Sequence, residues 1–513
     1  MASPEYKIPL RSVTIVVLAL LSLGIHLTVN YLGGYGYFRD ELYYIACSRH
    51  LAVGYVDQPP LSIFFLSLAR IFLGDSVFAI RLIPAIASAL SIVVLCMLVR
   101  KLNGGRTAAV IASLSFIASG QLLAFHAYYS LNSFDILFWL LAAYVLVLLA
   151  DRATDKTWVL LGLILGLALL NKTSAIWLGA GIGASLLLTR LRGHLKTRGP
   201  YLAAGTALLL FSPYILWNVA YGFPHLEFMR NAVSGKYSSL TRSRFVVDQF
   251  MNMNPPIVLM ALLGLCWYLI SKEGRRFKFL AVIFITVFAI LLLNPHTKSE
   301  YIAAAYPILL AGGGVMAERL GRRWGRAVPL GLGALLVLSG LAAAPFALPV
   351  LPVETYIRYA RMWGVTPSTP ENQQLSELPQ FFADMQCWEE LARDVSKAYL
   401  SIPGEERLTT VALVGNYGEA GALELFSRKY PLPRVISTHN SYWFWGVGDT
   451  NITTFIRLGG SKDSYSKNYG AVALAGVHTC RYCMPYENNL SIFVARQRRR
   501  PIEQVWGESK HFE

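Results

Sequence analysis

The chain has 513 residues, 55% of them hydrophobic and 15% charged, with a formal net charge of +16. Soluble domains carry nearer a quarter charged residues, so this composition excludes an ordinary soluble globule and implies a multispanning membrane protein. The basic surplus sits in short connections between apolar runs, where topology and anionic lipid account for it, and no nucleic-acid partner is implied.

Taken in order, Met1 to Arg11 is a short basic prelude that leads into a full-length span and lacks the small-residue cleavage site of a secretory signal. A spanning helix needs about twenty mainly apolar residues, and Val13–Tyr31 is the first. A polar, aromatic segment follows to Gln58, then Pro59-Pro60. It holds Tyr35-Gly36-Tyr37-Phe38-Arg39-Asp40-Glu41-Leu42-Tyr43-Tyr44, two adjacent carboxylates and an arginine among aromatics beside a membrane span. Ionisable groups there mark a functional site; the alternative is an interfacial aromatic belt with solvated charges. Leu61–Leu73 is too short to span and is predicted to lie on the membrane as an interfacial helix.

Val77–Val99 is the second predicted span. Thr107–Ser119, Phe134–Ala150, Trp158–Leu170, Ser174–Leu188, Tyr201–Val219, Ile257–Leu269, Phe279–Leu293, Tyr301–Ala317 and Val328–Leu348 follow, about eleven in all. Alternate connections, Lys101–Arg106, Arg190–Arg198, Lys272–Lys278 and Arg319–Arg326, are strongly basic and by the positive-inside rule cytoplasmic. The opposite connections, Phe125–Asn132, Asn171–Thr173 and Asn294–Glu300, are short and nearly uncharged, and fall outside with Asp40 and Glu41. One outer loop, Tyr221–Pro255, carries Arg230, Lys236, Arg242 and Arg244, as long external segments can; an anionic ligand on that face would also account for them. The expected domains are residues 1–349, transmembrane, and residues 350–513, a small soluble α/β domain on the outer side. In the latter, helical patterns over Cys387–Tyr399 and Glu419–Tyr430 alternate with strand-like runs at Thr409–Gly415, Arg434–Ser437, Ala471–Val477 and Leu490–Ala495.

The outer face is thus predicted to gather Asp40, Glu41 and Asp57 from the first loop and Asp135 from the start of the fourth span. Lys172, His296 and Lys298 come from later loops, and Arg81 from the first turns of the second span. Transfer from a lipid-phosphate donor needs that mixture: a carboxylate to take the proton of an attacking hydroxyl, and cations for charge on the departing phosphate. Plainer roles exist for each. Asp135 after Ser133 is also placed to cap its helix. Lys172 and Lys298 are placed to snorkel, and His296 after Pro295 to sit in a turn. Arg81, inside an apolar span, must find a partner, and Asp75 is near in sequence.

The series Phe38-Arg39-Asp40-Glu41-Leu42-Tyr43-Tyr44 and Asp57-Gln58-Pro59-Pro60-Leu61 resembles the first external loop of the membrane glycosyltransferases of family 39. That family shares the GT-C fold with protein O-mannosyltransferases and the aminoarabinose transferase of lipid A. Ala79-Ile80-Arg81-Leu82-Ile83-Pro84, Asn132-Ser133-Phe134-Asp135, Leu170-Asn171-Lys172-Thr173-Ser174 and His296-Thr297-Lys298-Ser299-Glu300-Tyr301 continue the likeness in the family's order. The resemblance implies a polyprenyl-phosphate sugar donor, an active site on the periplasmic or lumenal face and inversion at the anomeric carbon. It implies Asp40 as catalytic base or acceptor-orienting carboxylate, Glu41 as its support and Asp135 as a second acidic contact. Arg81, Lys172, His296 and Lys298 are the implied contacts of the donor phosphate. Tyr43, Tyr44, Asp57, Tyr301, His439 and Asn440 are the expected acceptor or sugar contacts. A divalent metal is compatible with the family but no His/Asp cluster demands one. The Lys-Ser-Glu before Tyr301 departs from the simpler basic-aromatic pattern expected there.

In the tail, Asn416-Tyr417-Gly418-Glu419-Ala420-Gly421-Ala422-Leu423 reads as a strand-to-helix turn with exposed N–H groups, able to hold an anion or a hydroxyl. His439-Asn440-Ser441-Tyr442-Trp443-Phe444-Trp445-Gly446 is an aromatic cluster suited to a sugar face, or alternatively the corner of a packed core. Both resemble segments of bacterial members with an external C-terminal domain, which is expected to recognise the acceptor. Cys480 and Cys483 are spaced for a local disulfide, and Cys387 lies in the same domain. The reading is an inverting GT-C glycosyltransferase of a bacterial inner membrane, N-terminus cytoplasmic, with a membrane-lipid-linked donor and a glycan, lipid or protein acceptor. A glycan ligase or polymerase is the alternative. A secondary transporter fits less well, because no inverted repeat or matched pair of broken helices is visible.

Overall fold

The computed structural model describes residues 10–369 and 371–513; the basic prelude before Leu10 lies outside the described residues. The chain forms two compact units, each drawn from separate stretches.

The first unit, Met1–Gly33, Phe78–Leu216 and Ser239–Leu351, is helical over its described residues. Helices occupy all eleven apolar runs, but they differ in reach. Among the described residues seven are long and apolar enough to cross a bilayer, or eight if the bent pair Arg242–Met253 and Pro255–Ile270 counts as one span. Arg106–Ile117 has 12 residues and Ala175–Leu188 has 14. At 1.5 Å per residue both fall short of a hydrocarbon core about 30 Å thick. By length and composition the expected count of about eleven full spans is therefore not reached: the apolar runs were legible, while the bend at Asn254 and the short reach of these two helices were not. The sharpest break, 108°, falls at Asn254, which takes φ +79° ahead of Pro255-Pro256. Proline there starts a new helix and cannot continue the old one. Packing inside the unit uses buried polar caps. Glu318, in the helix Tyr306–Trp324, accepts from the N–H groups of Gly105 (2.6 Å) and Ala108 (3.2 Å) at the start of Arg106–Ile117, so its charge meets a positive helix end.

The second unit, Gly34–Val77, Trp217–Ser238 and Pro352–Glu513, joins the predicted outer domain to two earlier loops. Its mixed sheet contains β1 (Thr410–Val414), β2 (Arg434–Ser437), β3 (Thr454–Leu458), β4 (Tyr469–His478) and β5 (Leu490–Arg498), in the order β2-β1-β3-β5-β4. β1 pairs in parallel with β2 and β3, whereas β5 pairs antiparallel with β3 and β4. Val411, Ile436, Phe455, Tyr469 and Ala495 form its core. Four strands lie where alternation places them; β3 was not expected. The helix Leu61–Leu73 forms with the predicted bounds, burying Ile63 and Leu66 and turning Phe64, Leu68, Ile71 and Phe72 outward, as a helix resting on lipid does.

The segment Arg39–Arg49 is a helix packed directly on the helix Tyr417–Phe426. Two glycines permit the approach: a Cβ at Gly418 would stand 2.5 Å from Arg39 Cγ, and one at Gly421 2.8 Å from the Leu42 backbone. Cys387 and Cys480 form a disulfide with a Cα separation of 6.0 Å, and Cys483 keeps a free, buried thiol. This corrects the local Cys480–Cys483 pairing; the fold brings the helix start at Trp388 beside the end of β4, which spacing alone does not show.

Candidate active site

The Asp40 carboxylate stands in the first turn of Arg39–Arg49, where the positive end of the helix favours a negative charge. Its Oδ1 accepts from the Tyr417 hydroxyl at 2.9 Å, and it is half-buried. Glu41, its neighbour, is 0% exposed and turns back to accept from the Phe38 N–H at 2.8 Å. Of the two adjacent carboxylates, then, Glu41 closes the helix start while Asp40 keeps some access to solvent.

Around this pair the second unit builds an aromatic and charged shell. The Tyr417 ring packs on Tyr43 (centroids 4.8 Å apart) and lies under the Arg39 guanidinium at 5.2 Å. Tyr43 donates to Asp57 Oδ1 at 2.9 Å and accepts from the Ser441 N–H at 3.2 Å. Tyr44 is buried with its ring 6.2 Å from that of Tyr43. Arg39 donates to the Tyr486 hydroxyl and pairs with Asp384 (3.9 Å) and Glu371 (4.0 Å), while Lys236 reaches Glu371 at 3.8 Å. Burial pushes the Asp57 carboxyl up to about 6, against the Tyr43 hydrogen bond, with the charge of Asp40 adding to the rise. Burial likewise raises Asp384 to about 6, opposed by Arg39. The Tyr417 phenol is held well above its ordinary range, chiefly by burial, so it donates a proton to Asp40 without losing it.

His439 and Asn440 lie in the same unit but serve the chain end. His439 Nδ1 accepts from the Tyr417 N–H at 3.3 Å and Nε2 stands 2.9 Å from the Glu513 carbonyl, while the Asn440 side chain bonds both Glu513 O (3.0 Å) and N (2.9 Å). The glycine-bearing turn before Tyr417 is also occupied: Asn416 Oδ1 accepts from Glu419 N–H (2.9 Å), and Glu419 accepts from Gly415 N–H (2.8 Å). This capping box satisfies N–H groups that would otherwise face an anion.

In the helical unit, Asp135 and Lys172 meet. Lys172 Nζ stands 3.6 Å from Asp135 Oδ2, donates to Asn132 Oδ1 at 2.8 Å and lies 5.2 Å over the Tyr301 ring. Trp139 donates to Asp135 Oδ1 at 3.0 Å. Ser130, not Asp135, caps this helix, accepting from the Asn132 N–H. Arg81 is 2% exposed, and its carbonyl accepts from Asn30. Asp75 is engaged by Arg70, by Arg428 at 2.8 Å and by Arg49 at 3.8 Å. His296 and Lys298 precede the turn Ser299–Ala305, whose start is fixed by Gln249 donating to Ser299 O at 2.9 Å. Among the described residues no group of three His, Cys, Asp or Glu side chains stands close enough to hold a metal. Tyr417 was not expected beside Asp40, nor Asp384, Glu371 and Tyr486 beside Arg39; only Tyr417 falls in one of the motifs of the sequence.

Comparison with known proteins agrees with this architecture. The family described as dolichyl-phosphate-mannose-protein mannosyltransferase matches residues 57–217. Lipid A galacturonosyltransferase RgtD of Rhizobium johnstonii is 22% identical over 324 residues, which is 61% of this chain and 66% of RgtD, just under two thirds of that relative. ArnT of Cupriavidus metallidurans, solved bound to undecaprenyl phosphate, superposes with a TM-score of 0.61 at 16% identity, covering 94% of this chain and 97% of ArnT. Its apo form gives 0.61 at 15% identity over the same shares. The fold and the apolar helices make this chain an integral membrane protein of the GT-C fold, similar over residues 57–217 to the dolichyl-phosphate-mannose-protein mannosyltransferase family.

Proposed function

We propose that this protein is an inverting glycosyltransferase that moves a sugar from a polyprenyl-phosphate donor to an acceptor hydroxyl on the periplasmic face of a bacterial inner membrane. The donor class is supported by the family match and by the fold shared with ArnT, whose structure holds undecaprenyl phosphate. RgtD acts on lipid A, so a lipid-linked saccharide is the first acceptor to try, before free glycans and proteins.

The observation that carries the reading is the state of Asp40: a helix-start carboxylate, partly open, with one oxygen held by Tyr417 and its neighbour Glu41 turned away into the fold. In the proposed reaction Asp40 takes the proton of the acceptor hydroxyl. The freed oxygen attacks the anomeric carbon, the bond from that carbon to the phosphate oxygen breaks with inversion, and polyprenyl phosphate leaves. Lys172, Arg81, His296 and Lys298 are proposed to stabilise that phosphate, with Asp135 orienting Lys172.

The experiment is transfer in membranes carrying Asp40→Asn, with a panel of polyprenyl-phosphate sugars and lipid A as acceptor. A rate roughly a hundredfold or more below the parent is expected, the usual contribution of general-base catalysis. A folded Asp40→Asn protein working at the parental rate would overturn the assignment.

A further inference from the structure

A cavity of about 270 Å³ opens where the helices Ala175–Leu188 and Lys278–Leu293 end together in the helical unit. Its polar wall is Arg190, Arg192, Arg275, Arg276 and Lys278, with Phe279 also lining it. Two basic connections supply that wall, both assigned by their charge to the cytoplasmic face.

Neither connection is a loose loop. Ser185 Oγ donates to the Phe279 carbonyl at 2.8 Å, locking the two helices together. Thr189 donates to Ser185 O at 2.7 Å and accepts from the Leu191 N–H at 3.2 Å, starting the tight turn Arg190–Lys196. Ser271 Oγ accepts from the Gly274 N–H at 2.8 Å, and Arg275 Nε donates back to the Leu269 carbonyl at 3.3 Å. The cations are thus held around a space by their own backbone.

Five cations line the cavity and no carboxylate does. Asp151, the nearby acid, is already engaged by Arg276 and by Lys101 at 3.9 Å. Among the described residues Arg190, Arg192 and Lys278 have no carboxylate within ion-pair distance. Burial, and next the charge of Arg276, pull the Arg190 guanidinium below its ordinary range, against the opposing charge of Asp151. The 16-residue helix Lys278–Leu293 starts at the cavity, and its N-terminal end favours negative charge there. The rim is apolar: Leu188 is 69% exposed at the end of an apolar helix. The volume is below the usual range of small-molecule sites, about 300–1,000 Å³, and suits one headgroup rather than a whole substrate.

We propose that this cavity binds the phosphate headgroup of an anionic membrane lipid, the acyl chains lying against the Leu188 rim. A basic pocket between apolar helices with an open apolar edge is the form such sites take. Free inorganic phosphate has the same head chemistry but no use for the apolar edge.

The test uses the purified full-length protein, with phosphatidylglycerol, cardiolipin or phosphatidylcholine added and retained lipid read by native mass spectrometry. The parent should hold phosphatidylglycerol or cardiolipin in preference to phosphatidylcholine. The double variant Arg190→Gln, Lys278→Gln should retain it roughly thirtyfold more weakly, given the usual contribution of each cation near a membrane. Arg323→Gln, a basic change at another helix end, should leave retention unchanged. If the double variant does not elute as a folded species, Arg190→Gln alone carries the test, with a smaller loss in the same direction. Equal retention by the neutralised and parental proteins overturns the site. Displacement of the lipid by millimolar inorganic phosphate overturns the lipid assignment in favour of a soluble anion.

Discussion

Tyr417 donates its hydroxyl proton to Asp40 Oδ1 at 2.9 Å while its ring rests 5.2 Å from the Arg39 guanidinium. The residue that holds the proposed base is thus itself packed against a cation carried by the base's own helix. Removing only the hydroxyl, by Tyr417→Phe, keeps the ring contacts with Tyr43 and Arg39. A hydrogen bond to a charged group is worth about 1.5–3 kcal/mol, so kcat is expected to fall by about tenfold or more, with donor KM little changed. Steady-state transfer assays read this directly; an unchanged kcat would make Tyr417 a packing residue only.

Asp57 predicts a pH dependence of stability. Burial raises its carboxyl to about 6 in the folded protein, above its ordinary value of 3.8. Between those values the folded state holds a proton that the unfolded chain has released, so the contribution of Asp57 to stability is present at low pH and is lost as pH rises to about 6. Asn at this position can still accept from Tyr43 and carries no charge to desolvate. Asp57→Asn is expected to match the parent in melting temperature near pH 4 and to exceed it by several degrees at pH 7.5. A parent and variant with parallel melting curves across that range would show that Asp57 is solvated.

Apolar length and loop composition made the membrane class, the helix Leu61–Leu73 and four of five strands legible, because those signals are local. β3 was not marked out by its own sequence, and its partners β1 and β5 are remote from it in the chain. Asp40 was legible from its motif, yet its shell was not. Asp384, Glu371 and Tyr486 approach Arg39 only through the long connections of the second unit, and nothing in their own neighbourhoods marks them. The Cys387–Cys480 pair was hidden for the same reason: a nearby Cys483 offered a shorter loop, while the fold selected one across 93 residues.

That disulfide should matter for stability and leave Cys483 inert. Closing a loop of 93 residues removes entropy from the unfolded chain worth about 4–5 kcal/mol in the chain-entropy picture. Cys387→Ser and Cys480→Ser are each expected to lower the melting temperature of the protein, equally and without adding to one another. Cys483→Ser should leave it nearly unchanged. The Cys483 thiol, which donates to the Cys480 carbonyl at 3.1 Å, is pushed up to about 12 by burial and should resist alkylation in the folded protein. Peptide mapping without reduction distinguishes the pairs: a Cys480–Cys483 linked peptide in place of Cys387–Cys480 would reverse the assignment.

The Lys172–Asp135 pair separates two roles for a buried carboxylate. Asp135 is 3% exposed and is bonded by Trp139, and Lys172 is shared between it, Asn132 and the Tyr301 ring. If Asp135 acts by orienting Lys172, its loss matters only while Lys172 is present. Lys172→Gln is therefore expected to raise the donor KM about tenfold, and Asp135→Asn to raise it by less. The double variant should resemble Lys172→Gln alone, since residues that share one interaction do not add. Thermal unfolding gives a second reading: Asp135→Asn leaves the half-buried Lys172 ammonium without its charge partner, which is destabilising, whereas the double variant removes both charges and should recover part of the loss. Additive effects on KM would instead give Asp135 an independent contact with substrate, and would move it from supporting the donor-phosphate lysine to meeting the sugar itself.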